Sequence, residues 1–265
     1  MRTILSTVSL AGAVASTALC ADFQWQGQLA PGQLLEIQNI RGSIVATAAS
    51  GNTATVTATK SAKTSDPNSV SIQAVTFAGG VVLCAIYPDA PGAKHPNTCN
   101  PPGKSTYLSA NNNDVEVDFT VSVPLGVLLT GNTLTGDVHA TGLTAEVDAR
   151  ALHGNITLST AGFAQANTSH GAVNAQIGAA DWKGAENFAA RSGNLDLTIP
   201  SDANVEVEAS AFFGAIMSDF PLTITTTVGG HFSMAHGPLG SGGRTLKLST
   251  FSGNITLHKG PASGK

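Results

Sequence analysis

Two histidines hold equivalent positions in a repeated sequence pattern, and they are the first residues to consider for chemistry. His153 and His170 each precede a glycine and stand 17 residues apart. On adjacent strands their imidazoles would lie about 5 Å apart, where they could share a metal ion or titrate as a pair. We nevertheless expect two exposed turn residues and no metal or other cofactor, because the equivalent positions hold no further histidine and no carboxylate. Those positions are Arg41, Thr135, Ser192, Phe213 and Ser252.

A second group of metal-binding residue types lies near the carboxyl end of the chain. His231, Met234 and His236 fall in a glycine-rich stretch, and imidazole with thioether donors suits copper. Nothing near them in the sequence supplies the partners that would orient the imidazoles. The sequence therefore predicts an ordinary loop here.

Alternating carboxylates could indicate a glycosidase, in which two carboxyl groups flank the scissile bond about 5–10 Å apart. Alignment of the repeats instead spreads these residues along solvent-facing strands. We therefore expect no catalytic residues and no enzyme activity, and a carbohydrate-active β-helix enzyme is the less favoured alternative. The carboxylates concerned are Glu116, Asp118, Glu146, Asp148, Glu206 and Glu208.

Two cysteines flank a segment rich in proline and glycine. Cys84 and Cys99 are 15 residues apart, and the prolines between them cannot donate to a strand ladder. Zinc would require four ligands, and His95 is the one other candidate nearby. In an oxidising compartment the two thiols would pair, so the sequence predicts a Cys84–Cys99 disulfide.

The amino terminus has the pattern of a secretory signal peptide over residues 1–21. Arg2 precedes an apolar stretch from Ile4 to Leu19, and small residues lie near Cys20. Ordinary cleavage near Cys20 is expected. Lipidation at Cys20 is the less favoured alternative, because Leu19 stands where a lipoprotein carries a small residue. No later apolar run has membrane-spanning length. The mature chain is thus expected in the periplasm, on the outer surface or outside the cell, without a transmembrane segment.

The elements that would position these residues follow from a repeat of glycines. From Gly136 the glycines recur at intervals of 18, 17, 22, 21 and 39 residues, and Gly42 opens a similar segment. Each glycine is followed two residues later by a branched aliphatic residue, which predicts a strand with one buried face. The predicted turn glycines are Gly136, Gly154, Gly171, Gly193, Gly214 and Gly253.

A second apolar strand precedes each glycine, so each repeat predicts one coil with two strands. Coils of about 17–22 residues stacked at about 4.8 Å would form a single-domain, all-β solenoid without a helix beyond the signal peptide. Strands are also expected over Leu34–Ile40 and Ile44–Lys60. The predicted divisions are an N-terminal β region over 22–110, the repetitive solenoid over 111–258 and a flexible tail over 259–265.

Three segments carry a resemblance to a known family. They are Val121–Val127 leading into Thr135–Val138, Leu195–Pro200 followed by Ala203–Val207, and Leu246–Leu257. They resemble the bacterial putative-adhesin family, also called toastrack domains, which are secreted or envelope-attached β-solenoids of unknown function. The resemblance covers roughly residues 111–258 and implies a fold and an envelope location, but it carries no catalytic residues.

Composition and pattern together narrow the function classes. A net charge of −4 with 11% charged residues argues against nucleic-acid binding. We expect a non-catalytic, adhesin-like binding or structural module whose ladders of Thr, Ser, Asn and Asp bind cell-envelope polysaccharide or a surface protein with avidity. Open terminal coils would favour end-to-end self-association. The resemblance also implies an alternative, a periplasmic domain for envelope-stress sensing or regulation.

Overall fold

The structure is a computed structural model that describes residues 22–179, 186–227, 229 and 231–263, and these residues form an all-β protein. The predicted signal peptide and Cys20 lie outside the described residues. In chain order the strands are β1 (Phe23–Gln28), β2 (Leu34–Gln38), β3 (Ile44–Ala48), β4 (Thr53–Ser61), β5 (Ser71–Phe77), β6 (Gly80–Ile86), β7 (Glu116–Val123), β8 (Leu128–Thr135), β9 (Val138–Leu143), β10 (Val147–His153), β11 (Ile156–Thr160), β12 (Ala164–His170), β13 (Val173–Ile177), β14 (Glu186–Ser192), β15 (Leu195–Pro200), β16 (Val205–Phe213), β17 (Ile216–Ser218), β18 (Thr223–Thr226), β19 (Ser233–Leu239), β20 (Arg244–Ser252) and β21 (Ile255–Gly260).

The strands form two large sheets. The first sheet has the spatial order β1, β4, β7, β3, β9, β11, β13, β15, β21, β17, and the second has the order β18, β19, β16, β20, β14, β12, β10, β8, β2, β6, β5. Pairing is parallel through the middle of both sheets and antiparallel at β1–β4–β7, β5–β6 and β16–β19–β18. A single 3₁₀ turn at Pro67–Ser69 is the one helical element among the described residues. None of them forms a helix long and apolar enough to cross a membrane.

Alternating burial along the strands creates the core between the sheets. In β7, for example, Val117, Phe119 and Val121 are buried while Glu116 and Asp118 are not. Buried aliphatic residues from both sheets join in one continuous cluster. This is the period of two that places successive side chains on opposite faces of a strand.

The register follows the repeat that the glycines mark. Ile156 pairs with Val173, and Val173 pairs with Leu195 on the next strand. Leu195 in turn pairs with Ile255. The residues that the sequence makes equivalent are therefore neighbours across parallel strands of the first sheet.

The order of the last two repeats differs from chain order, which corrects the expectation of successive coils. β15 pairs with β21, and β17 lies outside β21, so the Gly253 repeat sits between the repeats of Gly193 and Gly214. A repeat determines which residues are equivalent, but it does not determine the order in which equivalent strands pair. In the second sheet the β18–β19 hairpin lies outside β16. After this hairpin the chain returns to form β20 between β16 and β14.

Several predicted boundaries also change. The expected strand over Ile44–Lys60 is two strands, β3 and β4, because the chain turns at residues 49–52. β1 was not predicted, since its glutamines and Trp25 lack an aliphatic alternation. The predicted N-terminal region and the predicted solenoid do not form separate sheets, because each of the two sheets contains strands from both sides of residue 110. At the other end, β21 continues to Gly260, and the Ser263 N–H donates to Asp202 at 2.7 Å.

The glycine of each repeat lies where neighbouring turns touch. A Cβ built on Gly171 would lie 2.0 Å from the carbonyl oxygen of Gly154, and one built on Gly154 would lie 1.9 Å from that of Gly136. Real Cβ atoms essentially never come that close to a carbonyl oxygen. The repeat therefore needs glycine because a neighbouring backbone occupies the space of a side chain.

Polar side chains tie successive turns together beside these glycines. Asn155 Oδ1 accepts from the Ala172 N–H at 2.9 Å, and Asp137 Oδ1 accepts from the Asn155 N–H at 2.7 Å. Within the core, the Thr168 hydroxyl donates to the Gly154 carbonyl at 2.9 Å. The turns consequently keep their backbone groups paired where the chain passes from one sheet to the other.

Asp114 joins the loop that precedes β7 to the loop that follows β4. Its carboxylate accepts from the N–H groups of Lys63, Thr64 and Ser65 and from the Thr64 hydroxyl, at 2.8–3.2 Å. These hydrogen bonds, those from Ser65 first and those from Thr64 next, hold the pKa of Asp114 well below its usual range. A carboxylate that accepts several N–H bonds is stabilised in its charged form.

We expect Asp114→Asn to lower Tm at pH 7, because one carboxylate oxygen becomes an amide that faces N–H donors. The folded pKa lies below the unfolded value of about 3.9, so the contribution of the carboxylate is complete above that value and declines as pH falls toward the folded pKa. Thermal unfolding of both proteins at pH 7 and pH 2.5 tests this. The difference in Tm should shrink at pH 2.5, and an equal difference at both pH values would contradict the assignment.

Candidate functional site

The register of the second sheet aligns its outward side chains in rows that run across the strands. Two of these rows border a groove, and both lie on the face turned away from the core. The middle row is Gln38, Asn132, Arg150, Asn167, Ala189, Ser249 and Ser210. The corner row, nearer the glycine turns, is Leu134, Leu152, Ser169, Arg191, Phe251 and Phe212.

Exposed phenylalanines gather at one end of the corner row. Phe212, Phe213 and Phe251 are 45%, 46% and 50% exposed. The rings of Phe212 and Phe251 stack with their centroids 5.1 Å apart and their planes at 7°, and Phe213 meets both edge-on. Phe232 packs 5.8 Å from Phe212. We call these four residues the aromatic cluster.

The aromatic cluster borders an open groove of about 640 Å³ on this face. Asn167, Ser249 and Ser210 supply amide and hydroxyl groups from the middle row, and Arg191 and Ser169 come from the corner row. Exposed apolar patches beside polar groups are typical of surfaces that bind a ligand or another molecule. The groove is therefore the candidate binding site, which we call the outer groove.

The charges around the outer groove differ in how they are paired. Arg150 donates to both oxygens of Asp148, at 3.0 and 2.8 Å. Arg191 is exposed and makes no hydrogen bond or ion pair with any described residue. Burial raises the pKa of the nearby Glu36 carboxyl, an effect that the Gln38 hydrogen bond opposes. The one uncompensated charge at the described groove is therefore the guanidinium of Arg191.

The loop that follows Cys99 lies further along the same face, where it lines a second hollow. Cys84 and Cys99 are joined with their Cα atoms 5.7 Å apart, as predicted. Cys84, Cys99 and Val82 form a small apolar cluster on the outer side of β6, with Leu108 against it. Thr106 and Leu108 line a second hollow that Arg150 shares with the outer groove.

The two predicted metal candidates are neighbours, as their spacing suggested. His153 and His170 pair across β10 and β12 with ring centroids 4.6 Å apart and planes at 19°. Within the described ranges, no group of three or more His, Cys, Asp or Glu residues is placed to hold a metal ion. A metal site at these histidines stays a hypothesis, which a metal-induced rise in Tm that His153→Ala removes would support.

The other candidate residues take separate places, with Glu116 and Asp118 on β7 of the first sheet. The predicted loop is wrong for Met234 and His236, which lie on strand β19, where His236 pairs with Glu208. His231 lies before this strand, against Phe213, with ring centroids 5.9 Å apart. Asp148 and Glu208 are on β10 and β16, with β12, β14 and β20 between them. At about 4.8 Å per strand this is about 19 Å, beyond the separation that a glycosidase pair needs.

The aromatic cluster is the feature that sequence reasoning missed. The sequence holds ten phenylalanines, and four of them meet here from β16, β20 and the segment before β19. Phe213 stands immediately before a repeat glycine, and Phe251 stands two residues before another. Their proximity could not be inferred because it depends on the pairing of β16 with β20, which the chain order of the repeats does not indicate.

Comparisons with known proteins give remote similarity only. No family model and no curated protein matches the sequence. Among solved structures, the chain is similar to a putative cell adhesion protein from Clostridium sporogenes ATCC 15579, with 14% identity and a TM-score of 0.42 over 90% of this chain and 99% of that one. It is also similar to a putative adhesin from Bacteroides fragilis NCTC 9343, with 13% identity and a TM-score of 0.36 over 89% of this chain and 96% of that one.

Proposed function

We propose that this protein is an exported, non-catalytic binding module that recognises polysaccharide through the outer groove. The observation that carries the proposal is the aromatic cluster, of which Phe212 and Phe251, each about half exposed, line the groove beside amide and hydroxyl side chains. A pyranose ring has one face of C–H bonds, which packs on an aromatic ring, and hydroxyls that pair with amide and hydroxyl side chains. The groove offers both kinds of contact side by side.

The proposed scaffold is a β-solenoid. The parallel registers of both sheets and the contact of each repeat glycine with the next turn support it. Such stacking repeats the outward side chains at about 4.8 Å, the spacing between strands. A polymer of sugar units can contact several rows at once, so that many weak hydrogen bonds add up.

The proposed location outside the cytoplasm rests on two features. The Cys84–Cys99 disulfide is of the kind that persists in oxidising compartments. The first 21 residues have the pattern of a secretory signal peptide. We propose a role in binding, without catalysis, because aromatic, amide, hydroxyl and guanidinium groups line the outer groove and no described carboxylate does.

Affinity electrophoresis in native gels tests the proposed function. The gels would contain dextran, amylose, chitosan, hyaluronan or a peptidoglycan digest, and we expect at least one of them to retard the protein. Phe251→Ala should weaken binding of that polysaccharide about tenfold or more, because a central aromatic side chain supplies a large share of binding energy. The loss should not reflect unfolding, since half of the side chain is exposed.

Met217→Ala provides the matched control. Met217 is 52% exposed and lies on β17, at the edge of the first sheet. Its removal should leave the retardation unchanged. The proposal fails if none of the polysaccharides retards the protein, or if both variants lose binding equally.

A further inference from the structure

We infer that the ligand of the outer groove is a carboxylate-bearing glycan, with a uronic acid unit held by Arg191 beside Phe251. This inference rests on the proposed function and names the class of sugar that the groove takes. The strand pairings place Arg191 between Ser169 and Phe251 in the corner row. The cation and the aromatic cluster therefore lie on adjacent strands, about 4.8 Å apart.

The first step concerns the free charge of Arg191. The guanidinium carries five N–H donors in a planar fork that matches a carboxylate. At Arg150 this fork is already occupied, because both oxygens of Asp148 accept from it. At Arg191 no described residue accepts from it, so the donors are available to a ligand that enters the groove.

The second step concerns the apolar surroundings. Phe251 and Phe212 line the same groove as Arg191. A sugar ring packed on these phenylalanines displaces water from the neighbouring guanidinium. An ion pair beside a low-dielectric surface is stronger than the same pair in water. The packing of the sugar ring on the phenylalanines would consequently strengthen the ion pair between its carboxylate and Arg191 when a single uronic acid supplies both groups.

The third step concerns the density of charge on the ligand. The row next to the middle row contains Glu36, Asp148 and Glu208, and Lys247 lies 3.9 Å from Glu208. These carboxylates disfavour a polyanion with several charges per unit. A glycan with one carboxylate and neutral neighbouring sugars matches Arg191, the one groove cation that no described residue pairs with. The chemistry thus favours a uronic acid in a largely neutral chain over a sulfated or phosphate-rich polymer.

Isothermal titration with a hyaluronan hexasaccharide tests the inference, because this probe carries one carboxylate for every two sugars. The same hexasaccharide with its carboxylates converted to methyl esters keeps the sugar rings and removes the charge. We expect the acid form to bind at least tenfold more tightly than the ester. Arg191→Gln should reduce the affinity for the acid to that for the ester.

Lys247→Gln is the matched control, because it removes a cation from the same face of the same sheet without touching the groove of Arg191. Its affinity for the acid form should stay within twofold of that of the unaltered protein. The inference is overturned if the ester binds as tightly as the acid, if Lys247→Gln is as harmful as Arg191→Gln, or if dextran sulfate competes equally in all three proteins.

The two proposals fail separately. Retardation by a neutral polysaccharide, lost in Phe251→Ala, together with no preference for the acid hexasaccharide, removes the uronic acid inference and leaves the proposed function standing. Failure of every polysaccharide to bind removes both.

Discussion

Replacing Gly171 with alanine should lower the free energy of unfolding by about 3 kcal/mol or more, which for a chain of this size is a fall in Tm of roughly 10 °C. The reason is steric, since the new Cβ would lie 2.0 Å from the carbonyl oxygen of Gly154 on the next turn. The backbone of Gly171 also has φ +151, which an L side chain rarely adopts. Relief would require the two turns to separate and break the hydrogen bonds that join them.

Two further glycine variants separate these causes. Gly154 lacks a left-handed φ but has an equally close carbonyl, at 1.9 Å, so Gly154→Ala should be nearly as damaging. Gly51 has open space around its Cβ position and no left-handed φ, so Gly51→Ala should be neutral. Thermal and urea unfolding of the three variants measures the effect. A Tm of Gly171→Ala equal to that of Gly51→Ala would show that the turns are not in contact.

Removing the disulfide is expected to have the next largest effect. In the loop-entropy model, a bridge that closes a loop of about 15 residues contributes about 3 kcal/mol. The double variant Cys84→Ala with Cys99→Ala should therefore unfold at a Tm lower by roughly 10 °C. Both positions are buried against Val82, so alanine keeps the site apolar and avoids an unpaired hydroxyl.

The same loss should follow from reduction of the unaltered protein with dithiothreitol. The reductant should leave the Tm of the double variant unchanged, which separates bond cleavage from other effects of the reagent. If neither reduction nor the double substitution lowered Tm, the loop between the cysteines would be held by its other contacts. Those include Asn97 Nδ2, which donates to the carbonyls of Tyr87 and Ser109 at 2.8 and 3.0 Å.

Much of the local structure could be predicted because it depends on residue spacing. The alternation after each glycine indicates which side chains are buried, and the pairing of Ile156 with Val173 follows from equivalence within the repeat. The disulfide could be predicted because the pattern of a signal peptide implies an oxidising compartment and because two cysteines follow it. These inferences need no knowledge of which strands pair across long stretches of chain.

The remaining features depend on contacts that a repeat does not specify. The repeat leaves open which equivalent strands pair, and the position of β20 and β21 between the Gly193 and Gly214 repeats is therefore known only from the structure. The aromatic cluster exists because that insertion brings Phe251 beside Phe212. That no described residue pairs with the Arg191 guanidinium likewise becomes evident only when the acceptors around it in the described part of the chain are located.

The most direct test of the proposed binding site is an NMR titration of ¹⁵N-labelled protein with a fragment of the polysaccharide that retards it most. We expect the largest amide shifts on β12, β14 and β20, centred on Asn167, Arg191 and Phe251. The amide signals of the first sheet around His139 on β9 and Asn174 on β13 should not change. Saturable binding with shifts confined to the first sheet, or to the loops at either end, would contradict the assignment of the outer groove.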